Sequence, residues 1–275
     1  MGVRLAGRLE DLPPDEGALN QPGRTALLVE LADRVLAVSV GHPTRVALDG
    51  GTCAGKSTLA YELADEFRRR GIWAVRACAD FFKLPPEQRL AGGIGAVYNW
   101  SALRGELLEP LGPGGDRLVR TASWDGWTRR SLLDRPKMAV PEESVAVVDG
   151  ALMLAAPQLD GLWDFRIWVH TDLAVRRERM VVRDVLWADD PSPEALRRRF
   201  DTRSRPDEEN YRVERRAEAV ADAVVNNNDP GRPRLLLSEA STGSSGHGDA
   251  HRVYADDRTC SLTRRPPVRG APDPG

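Results

Sequence analysis

The sequence predicts an α/β fold, a parallel sheet with helices on both faces. Three observations carry this expectation. Short apolar, β-branched runs alternate along the chain with stretches of helical periodicity, as in a sheet covered on both sides. A glycine-rich turn, "GGTCAGKST" at residues 50–58, joins the first such run to a strong helical pattern. Two of the runs end in aspartate, at Asp80 and Asp149, which sets two acids on one rim of the sheet.

The elements follow in order. Residues 1–24 are rich in Pro, Gly and charge and read as a flexible leader. Residues 24–39 place Leu27, Leu28, Leu31, Val35 and Leu36 at helical spacing. "TRVALDG" reads as a strand and "GKSTLAYELADEFRRRG" as a helix ended by Gly71. "IWAVRACAD" is a second strand, and "NWSALRGELLEPL" a helix stopped by Pro110. "SVAVVDG" and "DFRIWVH" are further strands, the latter leading into the helical pattern "TDLAVRRERMVVRDVLW". Residues 191–219 read as helix interrupted near Pro206, and "ADAVVNNND" as the last strand. From Ser238 the chain turns to Gly, Ser, Pro and Arg without periodicity, so 238–275 are expected to be disordered. A single domain over 25–237 is the result.

The chain has 275 residues and a net charge of −2, which gives no electrostatic case for nucleic acid or membrane as a partner. Of its 39 Lys plus Arg, only Lys56, Lys83 and Lys137 are lysines, leaving 36 arginines. Three scattered cysteines form neither a disulfide framework nor a thiolate metal site. No run is long enough to cross a bilayer, and the N-terminal stretch has no apolar signal-peptide core. A reduced, cytoplasmic setting is expected.

Gly50, Gly55, Lys56 and Ser57 satisfy G-x-x-x-x-G-K-[ST] between an apolar strand and a helix. Such a loop wraps a β-phosphate with inward backbone N–H groups, and the helix aims its positive end at the anion. Gly50, Gly51, Thr52, Cys53, Ala54, Gly55, Lys56, Ser57 and Thr58 are therefore expected to hold ATP. Lys56 would reach the β- and γ-phosphates, and the Ser57 hydroxyl would hold Mg²⁺. A P-loop NTPase-type sheet follows.

In such a sheet Asp80 and Asp149 share the rim of Lys56. One suits Mg²⁺ and the other suits the proton of an attacking hydroxyl; each would also suit the opening of an ordinary turn. Arg176, Arg179 and Arg183 stand on one helical face. They suit either a lid over the triphosphate or a solvated face paired with Asp172, Glu178 and Asp184.

The order of these features resembles the uridine kinase and phosphoribulokinase branch of the P-loop kinases, in its actinobacterial type. The matching stretches are "GGTCAGKST", "ACADFFK", "YNWSAL", "GPGGDRLVRTASWD", "VAVVDGALML", "DFRIWVHTDLAVRRERMVVRD" and "ADAVVNNNDP", over residues 44–234. The resemblance implies a single domain with a helical lid and ATP-dependent phosphorylation of a small-molecule hydroxyl. The favoured acceptor is the 5′-hydroxyl of a pyrimidine nucleoside, uridine or cytidine, with pantothenate- or sugar-like acceptors as the alternative. It also implies Asp80 as general base and acceptor contact, Asp149 as the Mg²⁺ acid with Ser57, and Arg176, Arg179 and Arg183 as lid arginines.

The acceptor pocket departs from that pattern. Uridine kinases carry an aromatic and then a histidine there, whereas "ASWDGWTRRS" has Trp124, Asp125 and Trp127 with Arg129 near the histidine's place. Trp124, Asp125 and Arg129 are the candidate acceptor contacts, together with Tyr98 and Trp100, whose rings suit either a base or the core. A regulatory nucleotide switch is the competing class. Its N-K-x-D guanine-reading motif does not occur in the chain.

Overall fold

The computed structural model describes residues 22–38, 40–89, 94–126, 128–186 and 188–236. Its central strand, β1 (Thr44–Asp49), is buried at every residue. Such burial requires neighbours on both edges and cover on both faces. Before it lies α1 (Pro22–Leu36). After it come α2 (Lys56–Arg69), β2 (Trp73–Cys78) and the short α3 (Trp100–Leu103), which runs on as a π-helical turn over Arg104–Leu108. Four two-residue strands follow: β3 (Leu118–Val119), β4 (Trp124–Asp125), β5 (Arg130–Ser131) and β6 (Met138–Ala139). Then come β7 (Ser144–Asp149), β8 (Phe165–His170) and the lid helices α4 (Leu173–Asp184), α5 (Pro193–Arg199) and α6 (Arg205–Arg215). β9 (Ala223–Asn226) and β10 (Arg234–Leu236) close the chain's described part.

The six-stranded sheet has the order β10-β9-β8-β1-β7-β2. All neighbours are parallel except β9 and β10. Two corrections follow. The sheet is mixed rather than wholly parallel, and "ADAVVNNND" is not the last strand. A turn through Asp229–Gly231 folds β10 back on the edge strand, a short return that a three-residue strand allows. β1 carries the chain to β2 on one side and is flanked by β8 on the other. Its carboxyl end is thus the switch point at which open α/β sheets bind ligands.

Alternation along the strands feeds two cores. Val46 and Leu48 of β1 join Leu31 of α1 and Leu59, Leu63 and Phe67 of α2 on one face. Ala47 joins Val148, Leu103, Leu107 and Met153 on the other. Phe67 is fully buried, so Phe67→Ala should cost about 3–5 kcal/mol.

The leader expected over 1–24 lies outside the described residues up to 21, and its last three residues belong to α1. Arg24 is 1% exposed there because it pairs with Glu62 of α2 at 2.5–2.8 Å, and such a guanidinium is buried only with a partner. The tail expected from Ser238 also lies outside the described residues. Pro206 stands in the first turn of α6, and the interruption expected there is a π-helical turn just before it, Phe200–Ser204.

Candidate active site

The loop between β1 and α2 leaves the sheet at Gly50, whose φ is 150°. A Cβ there would run into the carbonyl of Val169 on β8, so glycine is required. Ala54 N–H donates to Gly51 O at 3.1 Å, and the Ala54 carbonyl accepts from Asn227 Nδ2 at 2.7 Å. Thr171 Oγ1 also donates to that carbonyl at 3.1 Å. The ends of β8 and β9 therefore hold the loop's outer wall. Gly50, Gly51, Thr52, Cys53, Ala54 and Gly55 form the turn, while Lys56, Ser57 and Thr58 open α2. Lys56 Nζ donates to Gly51 O at 2.9 Å, across the mouth of the turn.

Asp49 ends β1 and is fully buried, a residue the sequence reading passed over. Its carboxylate accepts from the backbone of Gly50 at 2.6 Å, Leu152 at 3.1 Å, Met153 at 2.8 Å and Leu154 at 3.0 Å. Tyr211 of α6 adds its hydroxyl at 2.6 Å. Burial pushes this carboxyl above its usual range, although those donors and Lys56 pull the other way. One acid thus joins the loop's first amide, the segment after β7 and the lid.

Ser57 Oγ donates to Asp149 Oδ2 at 2.6 Å. Oδ1 accepts from Arg76 Nη2 of β2, also at 2.6 Å. Ser57 and Asp149 are brought together as the loop motif requires; Arg76 is a partner the sequence did not announce, because a charged residue in an apolar strand reads as an outward position.

Asp80 lies just beyond β2 in a short 3-10 turn, Ala79–Phe82. It accepts from Tyr98 at 3.1 Å and pairs with Lys83 at 2.9 Å. The surrounding protein desolvates it in part and pushes its carboxyl up. The side chain nevertheless stays 56% exposed, and the Lys83 charge and hydrogen bond, the Tyr98 hydroxyl and Lys56 together hold it below the usual range. Tyr98 is buried, and its ring stacks on Trp100 with centroids 4.6 Å apart. The Tyr98 ring is therefore committed to the core, and its hydroxyl is what serves Asp80.

β4 and β5 form a small hairpin whose base is tied to the Asp80 turn through Ser123 N–H and Phe81 O at 2.9 Å. Trp124 and Asp125 lie half-buried at its start. The Asp125 carboxylate accepts from Thr128 within the hairpin turn, and Arg129 stands exposed at the tip with φ 55°. Trp127 lies outside the described residues.

The three lid arginines of α4 have different partners. Arg176 donates to Glu208 at 2.5 Å and to Thr171 O at 3.0 Å, beside the loop. Arg179 donates to the carbonyls of Asn227 and Asn228 at 2.8 and 3.0 Å. Arg183 pairs with its neighbour Asp184 at 2.6 Å. Of the solvated pairings open to the sequence, Arg183 with Asp184 is formed, while Glu178 goes to Arg197 and Asp172 to His170.

No protein-family model matches the chain. Over 149 residues it is 28% identical to a uridine kinase of Clostridium perfringens, covering 52% of this chain and 69% of that one. A uridine kinase of Brevibacillus brevis is 26% identical over 156 residues, 53% of this chain and 68% of the relative. A Bacillus stearothermophilus structure described as a possible uridine kinase superposes with a TM-score of 0.53 at 17% identity, covering 73% of this chain and 97% of that chain. The chain is thus similar in sequence to uridine kinases, and its fold is that of the superposed structure.

The site's donor set also suits a magnesium ion. Mg²⁺ takes one or two protein oxygens and fills its octahedron with phosphate and water, and the Ser57 hydroxyl beside the Asp149 carboxylate supplies hard oxygens of that kind. No cluster of three or more His, Cys, Asp or Glu able to hold a metal occurs among the described residues. A magnesium site completed by nucleotide phosphates needs none. Among the described residues no helix is long and apolar enough to cross a membrane.

Proposed function

We propose that the kinase transfers the γ-phosphoryl of ATP to the 5′-hydroxyl of a pyrimidine nucleoside. The observation that carries this reading is Asp80: an ionised carboxylate at a strand end, oriented by Tyr98 and Lys83, on the rim shared with Lys56. The names of the curated relatives support the nucleoside as acceptor.

The residues divide the work. The loop amides and Lys56 bind and orient the triphosphate. Ser57 and Asp149 would hold Mg²⁺, which would supply charge neutralisation at the phosphates. Asp80 accepts the proton of the attacking hydroxyl, a step its lowered pKa keeps open across neutral pH. Arg176, Arg179 and Arg183 border the loop from the lid and offer positive charge to the group in flight. Trp124, Asp125 and Arg129, on the hairpin tied to the Asp80 turn through Ser123, contact the acceptor, with Trp100 beside Tyr98.

A screen of ATP consumption over pyrimidine nucleosides, pantothenate and simple sugars tests this reading. Turnover is expected with uridine or cytidine. Turnover confined to pantothenate or a sugar would replace the acceptor, and none with any of them would overturn the kinase assignment to these classes.

A further inference from the structure

We propose that Glu208 is a built-in competitor for nucleotide phosphate, latching lid helix α6 onto the phosphate loop. The proposal rests on the nucleotide reading of that loop.

The geometry is that of an anion in a phosphate cradle. Thr52 N–H, an amide of the loop, donates to Glu208 Oε1 at 2.6 Å. The other carboxylate oxygen accepts from Arg176 at 2.5 Å, and the same guanidinium nitrogen reaches Thr52 O at 3.4 Å. One acid thus engages a loop amide and a lid arginine, the two kinds of donor that bind phosphate oxygens. A Cβ on Gly51 would stand 2.9 Å from Glu208 Oε2, so the bare loop backbone provides the room for this approach.

Burial marks the contact as built rather than incidental. Glu208 is 8% exposed, and glutamate reaches that depth only when paired. Its neighbour Glu209 is exposed and pairs with Arg205 at 3.6 Å. One turn further along α6, Tyr211 holds Asp49 at the root of the same loop. Glu208, Tyr211 and the loop glycines line one cavity of about 280 Å³. Phe200, which opens the π-helical turn before α6, sits under the Arg176 guanidinium at 5.6 Å. Such π-helical turns recur at functional sites.

The consequence is a coupling. A triphosphate and the Glu208 carboxylate are like charges competing for Thr52 N–H and Arg176. Nucleotide entry displaces Glu208, and that displacement frees Arg176 for phosphate. Apparent affinity is then the intrinsic affinity multiplied by the fraction of time the latch is open.

Calorimetric titration of wild type, Glu208→Ala, Glu208→Gln and Glu209→Gln with MgATP and with inorganic tripolyphosphate tests the latch. Thermal melts establish that each protein folds, and the isosteric Glu208→Gln serves if Glu208→Ala does not. Both Glu208 variants are expected to bind about tenfold tighter, as for a latch closed about nine-tenths of the time. Glu209→Gln, which removes the same charge beside the same cavity, should stay within about twofold. Wild-type binding with no gain in either Glu208 variant, or an equal gain in Glu209→Gln, would overturn the latch alone. No binding by any of the proteins would overturn the nucleotide reading and the latch with it.

Discussion

The Tyr211 hydroxyl donates a 2.6 Å hydrogen bond to the buried carboxylate of Asp49, tying the last lid helix to the strand end that launches the phosphate loop. The same carboxylate accepts from four backbone amides, at Gly50, Leu152, Met153 and Leu154. Asp49→Ala strands all these donors, each costing about 1–3 kcal/mol when left unpaired in the interior. Urea denaturation should show a loss of at least about 3 kcal/mol for Asp49→Ala and about 1–2 kcal/mol for Tyr211→Phe. A smaller loss for Asp49→Ala than for Tyr211→Phe would contradict the account.

The Lys83 ammonium, 2.9 Å from the half-exposed Asp80 carboxylate, is the main influence lowering its pKa. Because the pKa is lowered, Asp80 stays ionised through the usual carboxylate range and loses its proton-accepting form only as pH falls through the lowered value. In Lys83→Met the favourable charge and hydrogen bond are lost and the pKa rises. The acid limb of kcat/KM against pH should move to higher pH. An unmoved limb would show that Lys83 does not tune Asp80.

Gly50→Ala puts a Cβ against the Val169 carbonyl at a φ of 150°. Strain of about 1–3 kcal/mol at the loop should weaken MgATP binding about tenfold or more. Gly105→Ala, where a Cβ meets nothing within 4 Å, is the control and should leave binding unchanged. Equal effects at both positions would mean the loop tolerates a side chain.

How much of this was legible in the sequence depends on the element. The loop was readable because glycine spacing, an apolar strand and a helix coincide at residues 44–69, and each is a local signal. The hairpin strands β3–β6 were not readable, since two residues per strand carry no period. β10 follows a Pro- and Gly-containing turn that reads as the start of a tail. Asp49 was hidden because an aspartate before a glycine is an ordinary turn signal. Only its burial and five donors set it apart. Glu208 sits in "RPDEENYRVERR", where a charge run reads as a solvated face. Pairing across 156 residues of chain separates it from Glu209.

Ser57→Ala removes the hydroxyl that stands 2.6 Å from Asp149. Titrating Mg²⁺ at fixed ATP should then show a requirement raised about tenfold or more, the loss of one strong oxygen contact. An unchanged Mg²⁺ requirement would remove Ser57 from the metal site.

The proton-accepting role of Asp80 is the centre of the account, and acceptor-dependent ADP release by Asp80→Asn tests it most directly. With the acceptor found in the substrate screen, kcat should fall by about 10²–10⁴-fold, while calorimetric affinity for MgATP stays within about twofold of wild type. Full acceptor-dependent ADP release by Asp80→Asn would contradict the account.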